Sequence, residues 1–322
     1  MELLLQNLIS PVVLAFLLGM IAHWVRSDLE IPDAIYQGLS IYLLFAIGLK
    51  GGVALAETEP SQLFGPILAT FALGVITPFS AFFLLRYFGN LDRTNAAATA
   101  AHYGSVSAVT YLAALEATRI AGVESESFMP ALVAVLEVPG IVVGLILAQS
   151  KRPGQLKSAI HEVVAGKSIF LLLGGMAVGA LCGKEKMDSV APLFVHPFKG
   201  VLCLFLLELG IVAAKRMGDV GRAGWKLVAI GCFLPIVHGC LGAFAGTLVG
   251  MSVGGAAVLG VMTGSASYIA APAAVRIALP KASPGIYLTL SLGVTFPFNL
   301  AIGIPVVLAF SKLCANLMGN PS

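Results

Sequence analysis

The sequence predicts an all-α integral membrane protein of about ten transmembrane helices, arranged as two inverted five-helix repeats whose central helices are discontinuous. Three observations predict it. Hydrophobic residues make up 58% of the 322-residue chain and charged residues only 11%, where soluble domains carry about 25% charged; the mean hydropathy is +0.95. Ten apolar stretches follow one another, five on each side of a polar connector. In the fourth and ninth, a Gly-Ser-x-Ser motif recurs 160 positions apart, as Gly104-Ser105-Val106-Ser107 and Gly264-Ser265-Ala266-Ser267.

The expected spans are 4–24, 34–55, 64–88, 94–119 and 128–149, then the connector 151–167, then 168–183, 196–214, 225–249, 254–279 and 285–315. The first begins almost at Met1 with neither a basic leader nor a cleavage-like end, so it reads as a retained helix. The second shares Gly38, Leu44 and Gly48 with Gly200, Leu206 and Gly210 of the seventh, at an offset of 162. The fifth shares Leu132, Pro139 and Ile146 with Leu290, Pro297 and Ile304 of the tenth, at an offset of 158. Pro78, Pro235, Pro272 and Pro305 read as helix kinks whose freed carbonyls find partners on neighbouring helices. The sixth span is the shortest.

Matches in the same order in three span pairs argue for duplication, with residues 1–150 as the first repeat, 151–167 as connector and 168–322 as the second. Five is odd, so the second copy must enter the membrane from the opposite side, a plan common among secondary transporters. Loops after the odd-numbered spans hold thirteen of the 19 Lys and Arg residues, from Arg26 through the connector's Lys151, Arg152 and Lys157 to Lys215, Arg222 and Lys281. Because short cytoplasmic loops collect such residues, the connector should be cytoplasmic and both termini outside a plasma (inner) membrane. The net charge of +3 gives no ground for a nucleic-acid partner. Five scattered cysteines without a CxxC read as buried thiols, and no spacing suggests a transition-metal site.

Each motif sits mid-way along a stretch of about 26 residues, enough to cross a bilayer at about 1.5 Å per residue. Glycine and paired hydroxyls weaken a helix where it can least do without its own hydrogen bonds. If both helices unwind at Gly104-Ser105 and Gly264-Ser265, inversion points two half-helix N-termini at one another. Their amides suit a small monovalent anion. Freed carbonyls and the hydroxyls of Ser105, Ser107, Thr110, Thr263, Ser265 and Ser267 suit a hard cation such as Na+. Glu137 is an intramembrane carboxylate beside Pro139 and so a further cation candidate. Thr295 and Asn299 flank Pro297 in the matching region; Glu208, His102 and His238 are further polar groups within spans.

Two further readings are open. A cation/proton antiporter or organic-anion symporter shares the crossed-helix plan, although an antiporter usually needs acids at the crossing and the motifs contain none. An intramembrane hydrolase would pair Ser105 or Ser265 with His102 or His238. Repeat two, however, has Met262 where repeat one has His102, and no GxSxG, HExxH or GxGD pattern occurs.

Ile31-Pro32-Asp33-Ala34-Ile35-Tyr36, Gly48-Leu49-Lys50-Gly51-Gly52-Val53, the segment from Gly104 to Leu115, Glu137-Val138-Pro139 and Tyr268 to Arg276 resemble the cyanobacterial sodium-dependent bicarbonate transporter family, over about residues 28–308. The resemblance implies core and gate domains, a homotrimer, and Na+-coupled bicarbonate uptake without further cofactor. It puts substrate near Gly104, Ser105, Val106, Ser107, Gly264, Ser265, Ala266 and Ser267, and Na+ near Thr110, Glu137, Thr263, Tyr268, Thr295 and Asn299. Tyr268 stands where that family carries an aspartate. The connector is shorter than the family's hydrophilic insert, where a PII-like cytoplasmic regulator would dock.

Overall fold

A computed structural model of the chain describes residues 9–148, 161, 164–218 and 224–319. These are helical, with no strand among them. The helices used below are α1 (Pro11–Trp24), α2 (Asp33–Glu57), α3 (Pro60–Phe88), α4 (Arg93–Tyr103), α5 (Ala108–Ile120), α6 (Met129–Leu147), α7 (Lys167–Asp188), α8 (Phe198–Met217), α9 (Trp225–Leu248), α10 (Val253–Thr263), α11 (Ala270–Ala278) and α12 (Pro284–Leu317). Most of the connector, with Lys151, Arg152 and Lys157, lies outside the described residues, as does Arg222. The regulator-docking expectation falls there too.

Among the described residues seven helices are long and apolar enough to cross a bilayer: α2, α3, α6, α7, α9, α12 and the stretch Ala191–Met217 that contains α8. α1 is 14 residues long, and the expected fourth and ninth spans are each divided, into α4 with α5 and α10 with α11. Local chemistry explains the boundaries. Ser10 accepts a hydrogen bond from Val13 N ahead of Pro11, and Asp92 accepts from Thr94 N and Asn95 N at 2.9 and 3.1 Å, each capping a first turn. The sixth span was expected to end at 183; there Gly183 turns to φ 68°, where a side chain would be strained, and helix resumes to Asp188. In α12, π-helical turns Thr289–Thr295 and Asn299–Gly303 flank Pro297, whose missing amide disturbs the regular ladder.

Two long crossings dominate one part of the molecule, α2 on α7 and α1 on α8, with α8 also touching α2. Both depend on glycine. A Cβ on Gly48 would lie 2.6 Å from the Leu172 carbonyl oxygen, and one on Gly175 would lie 2.9 Å from that of Phe45. Gly52 and Gly179 press still closer, on the carbonyls of Met176 and Leu49. At the other crossing Gly19 and Gly210 face the backbones of Leu207 and Phe16. Lipid tails are as apolar as side chains, so close backbone packing of this kind is what holds membrane helices together. Gly48 and Gly210, matched in the sequence, thus do the same job at two crossings.

Elsewhere α3 packs on α6 and α9 on α12, with α4 against α3 and α6, and α10 against α9 and α12. α5 rests on α10, and α11 on α4 and α6. At the far end of α5, Glu116 accepts from Lys199 Nζ of α8 at 2.5 Å and from Arg119 at 3.1 Å.

A methyl group at position 179 must displace the α2 backbone. Gly179→Ala is expected to destabilise the fold by about 1–3 kcal/mol, seen as a lower melting midpoint in detergent. Gly174→Ala, five residues earlier with nothing within 4 Å, should leave the midpoint unchanged or raise it slightly.

Candidate functional site

α4 is buried from Ala96 to Tyr103, and α10 along its whole length. Small residues let both run through the centre of the molecule, and both stop where the sequence places Gly-Ser. Gly104 ends α4 against Pro78 and Gly140; a Cβ on it would meet the Gly140 Cα at 2.7 Å and the Pro78 Cβ at 2.8 Å. Gly264 ends α10 against the Pro235 carbonyl and Gly239. Helix begins again at Ala108 and Ala270.

The two breaks are joined to each other. Ser107 N donates to Ser265 Oγ at 2.9 Å, and Ser265 Oγ donates to the Met262 carbonyl at 2.7 Å. Ser267 N donates to the His102 carbonyl at 2.8 Å. The new helix starts are capped: Ser107 Oγ accepts from Thr110 N at 3.1 Å and Thr110 Oγ1 at 2.8 Å, and Ser267 Oγ from Ala271 N at 3.3 Å. The amide tips expected to be bare are therefore partly covered. The motif's serines complete the backbone that its glycines release.

The prolines carry the same logic into the neighbouring helices. Pro235 lacks the N–H that would reach the Gly231 carbonyl four residues back. Thr295 Oγ1 donates to that carbonyl at 2.8 Å and is itself paired with the Tyr103 hydroxyl at 2.7 Å. Asn299 Nδ2 donates to the Gly264 carbonyl at 3.0 Å, and Thr263 Oγ1 turns back to Leu259 at 2.8 Å. Thr263, Thr295 and Asn299 thus all bond backbone.

Beside the crossing lies a cavity of about 10 Å³ lined by Val106, Ser107, Ala108, Glu137, Ser168, Ser267, Tyr268 and Ile269. It brings together five residues expected from the sequence: Val106, Ser107, Glu137, Ser267 and Tyr268. Ala266 is buried close by in the break, and the buried Ser105 Oγ has no hydrogen-bond partner among the described residues. Ser168, in the first turn of α7, was not foreseen; a serine near a helix start carries no other signal. Tyr268 stacks edge-on to Phe296 at 5.5 Å, and its buried hydroxyl lies near Ser107 outside hydrogen-bond geometry.

Glu137 is 4% exposed and forms no hydrogen bond or ion pair among the described residues. A carboxylate cannot stay charged there without a counter-charge, so this position calls for a cation or a proton. Among the described residues no group of three or more His, Cys, Asp or Glu side chains comes together to hold a metal. Each central histidine is engaged through one ring nitrogen, the other being buried without a partner among the described residues. His102 Nδ1 donates to the Ala98 carbonyl at 2.7 Å with its ring on Tyr287, and His238 Nε2 is paired with Ser80 Oγ at 2.6 Å.

A family model described as the Na+-dependent bicarbonate transporter superfamily matches residues 11–312. No curated protein matches the chain.

Ser265→Ala removes the acceptor of a buried amide, which costs about 1–3 kcal/mol and should lower the melting midpoint. Ser105→Ala removes a hydroxyl with no partner among the described residues. Its midpoint should stay at the wild-type value, so any defect should appear in ligand handling alone.

Proposed function

The chain belongs to the Na+-dependent bicarbonate transporter superfamily, a transporter family and not an enzyme family, and on that premise we propose that it is a Na+-coupled symporter of bicarbonate, or a similarly small monovalent anion, working by alternating access. The observation that carries the reading is the juxtaposition at the crossing: two interrupted helices stitched together by their own serines, and beside them a buried carboxylate without a protein counter-charge.

In this reading Na+ takes the cavity at Glu137, with oxygens of Ser107, Ser267, Ser168 and Tyr268 completing its shell. About 10 Å³ is the room of a single water, matched to a stripped small cation and too small for bicarbonate. The anion is received on the Ser105–Ser107 and Ser265–Ala266 side as the surrounding helices part. Co-transport follows from charge: Na+ neutralises Glu137 and so lowers the cost of bringing an anion to the neighbouring amides. Where the resembling family carries an aspartate, Tyr268 offers a phenol; Glu137 is then the only carboxylate of the cavity lining, which supports one Na+ per anion.

The packing supports the repeat plan. The largest contacts of the first five spans have counterparts in the second five, α2 on α7 with α8 on α1, and α3 on α6 with α9 on α12. On this plan α1, α2, α7 and α8 form the gate and the other helices the core. The charge bias supports an orientation with both termini outside, and the resemblance supports a homotrimer. One observation favours a second reading: Glu137 is the acid at the crossing that cation/proton antiport requires.

Proteoliposomes separate the two. An inward Na+ gradient is expected to drive uptake of labelled bicarbonate with a Hill coefficient for Na+ near one, and to move no protons when bicarbonate is absent. Na+-driven proton movement without bicarbonate would favour antiport. Glu137→Gln should raise the Na+ concentration for half-maximal uptake at least tenfold, about 1.4 kcal/mol.

A further inference from the structure

A cleft of about 530 Å³ opens at one end of α2 and α8, lined by Arg26, Asp28, Glu30, Asp33, Glu208 and Lys215 among others. The loop residues among them are exposed and charged, so the cleft is wet. Its floor follows from helix geometry. α2 enters the molecule at Asp33, and three residues deeper Tyr36 turns to the same side. α8 leaves at Lys215, and three residues deeper than Glu208 is Phe205. The rings of Tyr36 and Phe205 stack at 4.8 Å, 7° from parallel, with Phe205 1% exposed.

Phe205 also walls a second cavity of about 10 Å³, with Leu43, Ile47, Ala108 and Ile269 and with Ser40 as its one hydroxyl. Ala108 and Ile269 also wall the Glu137 cavity, so the two small spaces share a partition. The order is therefore charged cleft, aromatic layer, apolar cavity, cation cavity. An ion stripped of water cannot cross an aromatic layer and an apolar space without a large desolvation cost.

We propose that the Tyr36–Phe205 stack is the seal on one side of the transport site and that the charged cleft is the mouth on that side. This rests on the crossing being the transport site. Both rings stand on the gate helices, while Ala108 and Ile269 belong to the half-helices of the crossing. Parting the rings therefore requires α2 and α8 to move relative to each other, and opening the path beyond them requires both to shift relative to α5 and α11.

The test uses Ala108→Cys as reporter in protein whose five cysteines are replaced by serine, with a membrane-impermeant methanethiosulfonate applied separately to each face of the vesicles. Phe205→Ala and Tyr36→Ala are each expected to speed labelling at least tenfold from the face that bears Ser27. Phe205→Leu should give a smaller increase and Tyr36→Phe none. Equal labelling of Ser27→Cys in every background shows that the cleft is intact. Unchanged labelling at position 108 in both alanine variants, or acceleration only from the opposite face, overturns the proposal. Should the alanine variants not fold, Phe205→Leu carries the same two outcomes. Labelling needs no uptake: a responsive reporter without Na+-driven bicarbonate uptake would retain the seal and sink the substrate reading, and the converse result would sink the seal alone.

Discussion

The structure depends on one constraint, that a backbone interrupted inside a membrane must find every hydrogen bond within the protein. Ser107 N on Ser265 Oγ and Ser267 N on the His102 carbonyl meet that constraint across the two halves of the chain. Each half supplies what the other lacks, so neither interruption is self-sufficient. Asn299 on the Gly264 carbonyl and Thr295 on the Gly231 carbonyl extend the same repair outward to α12 and α9. An interruption repaired this way is held in place by backbone geometry and not by long side chains.

Close approach is the second requirement, and glycine meets it. The crossover stays compact because Gly104 and Gly140 let α4 and α6 touch backbone to backbone, while Gly48, Gly52, Gly175 and Gly179 do so for α2 and α7. The small-residue spacing that could signal nothing more than tight packing is thus packing in both places. The difference lies in what stands next to it: at α2 and α7 only carbonyls, at α4 and α6 a lone carboxylate and a cavity.

Much of this was legible in the chain. Glycine beside paired hydroxyls marks a helix that will break, and both breaks fall at the expected residues. An acid in an apolar run marks a group needing a counter-charge, and Glu137 lines the cavity. The hydrogen-bond partners of the other candidates were less legible. Thr263 could satisfy itself on the carbonyl four residues back, an option that any helical threonine has. Thr295 and Asn299 went to carbonyls freed by Pro235 and by the Gly264 break, partners 64 and 35 residues away that no local pattern names. Ser168 and the Tyr36–Phe205 stack were invisible for the same reason: each owes its place to a neighbour on another helix.

The ion pair at the far end of α5 has a dynamic consequence. Lys199 on α8 holds Glu116 on α5, so a half-helix of the crossing is tethered to the scaffold at the end remote from the charged cleft. Lys199 is 42% exposed, and a partly solvated contact of this kind is worth at most about 1 kcal/mol and weakens as ions screen it. The tether is thus weak enough for thermal motion to break it, and its strength is tuned by the salinity of the water that bathes it.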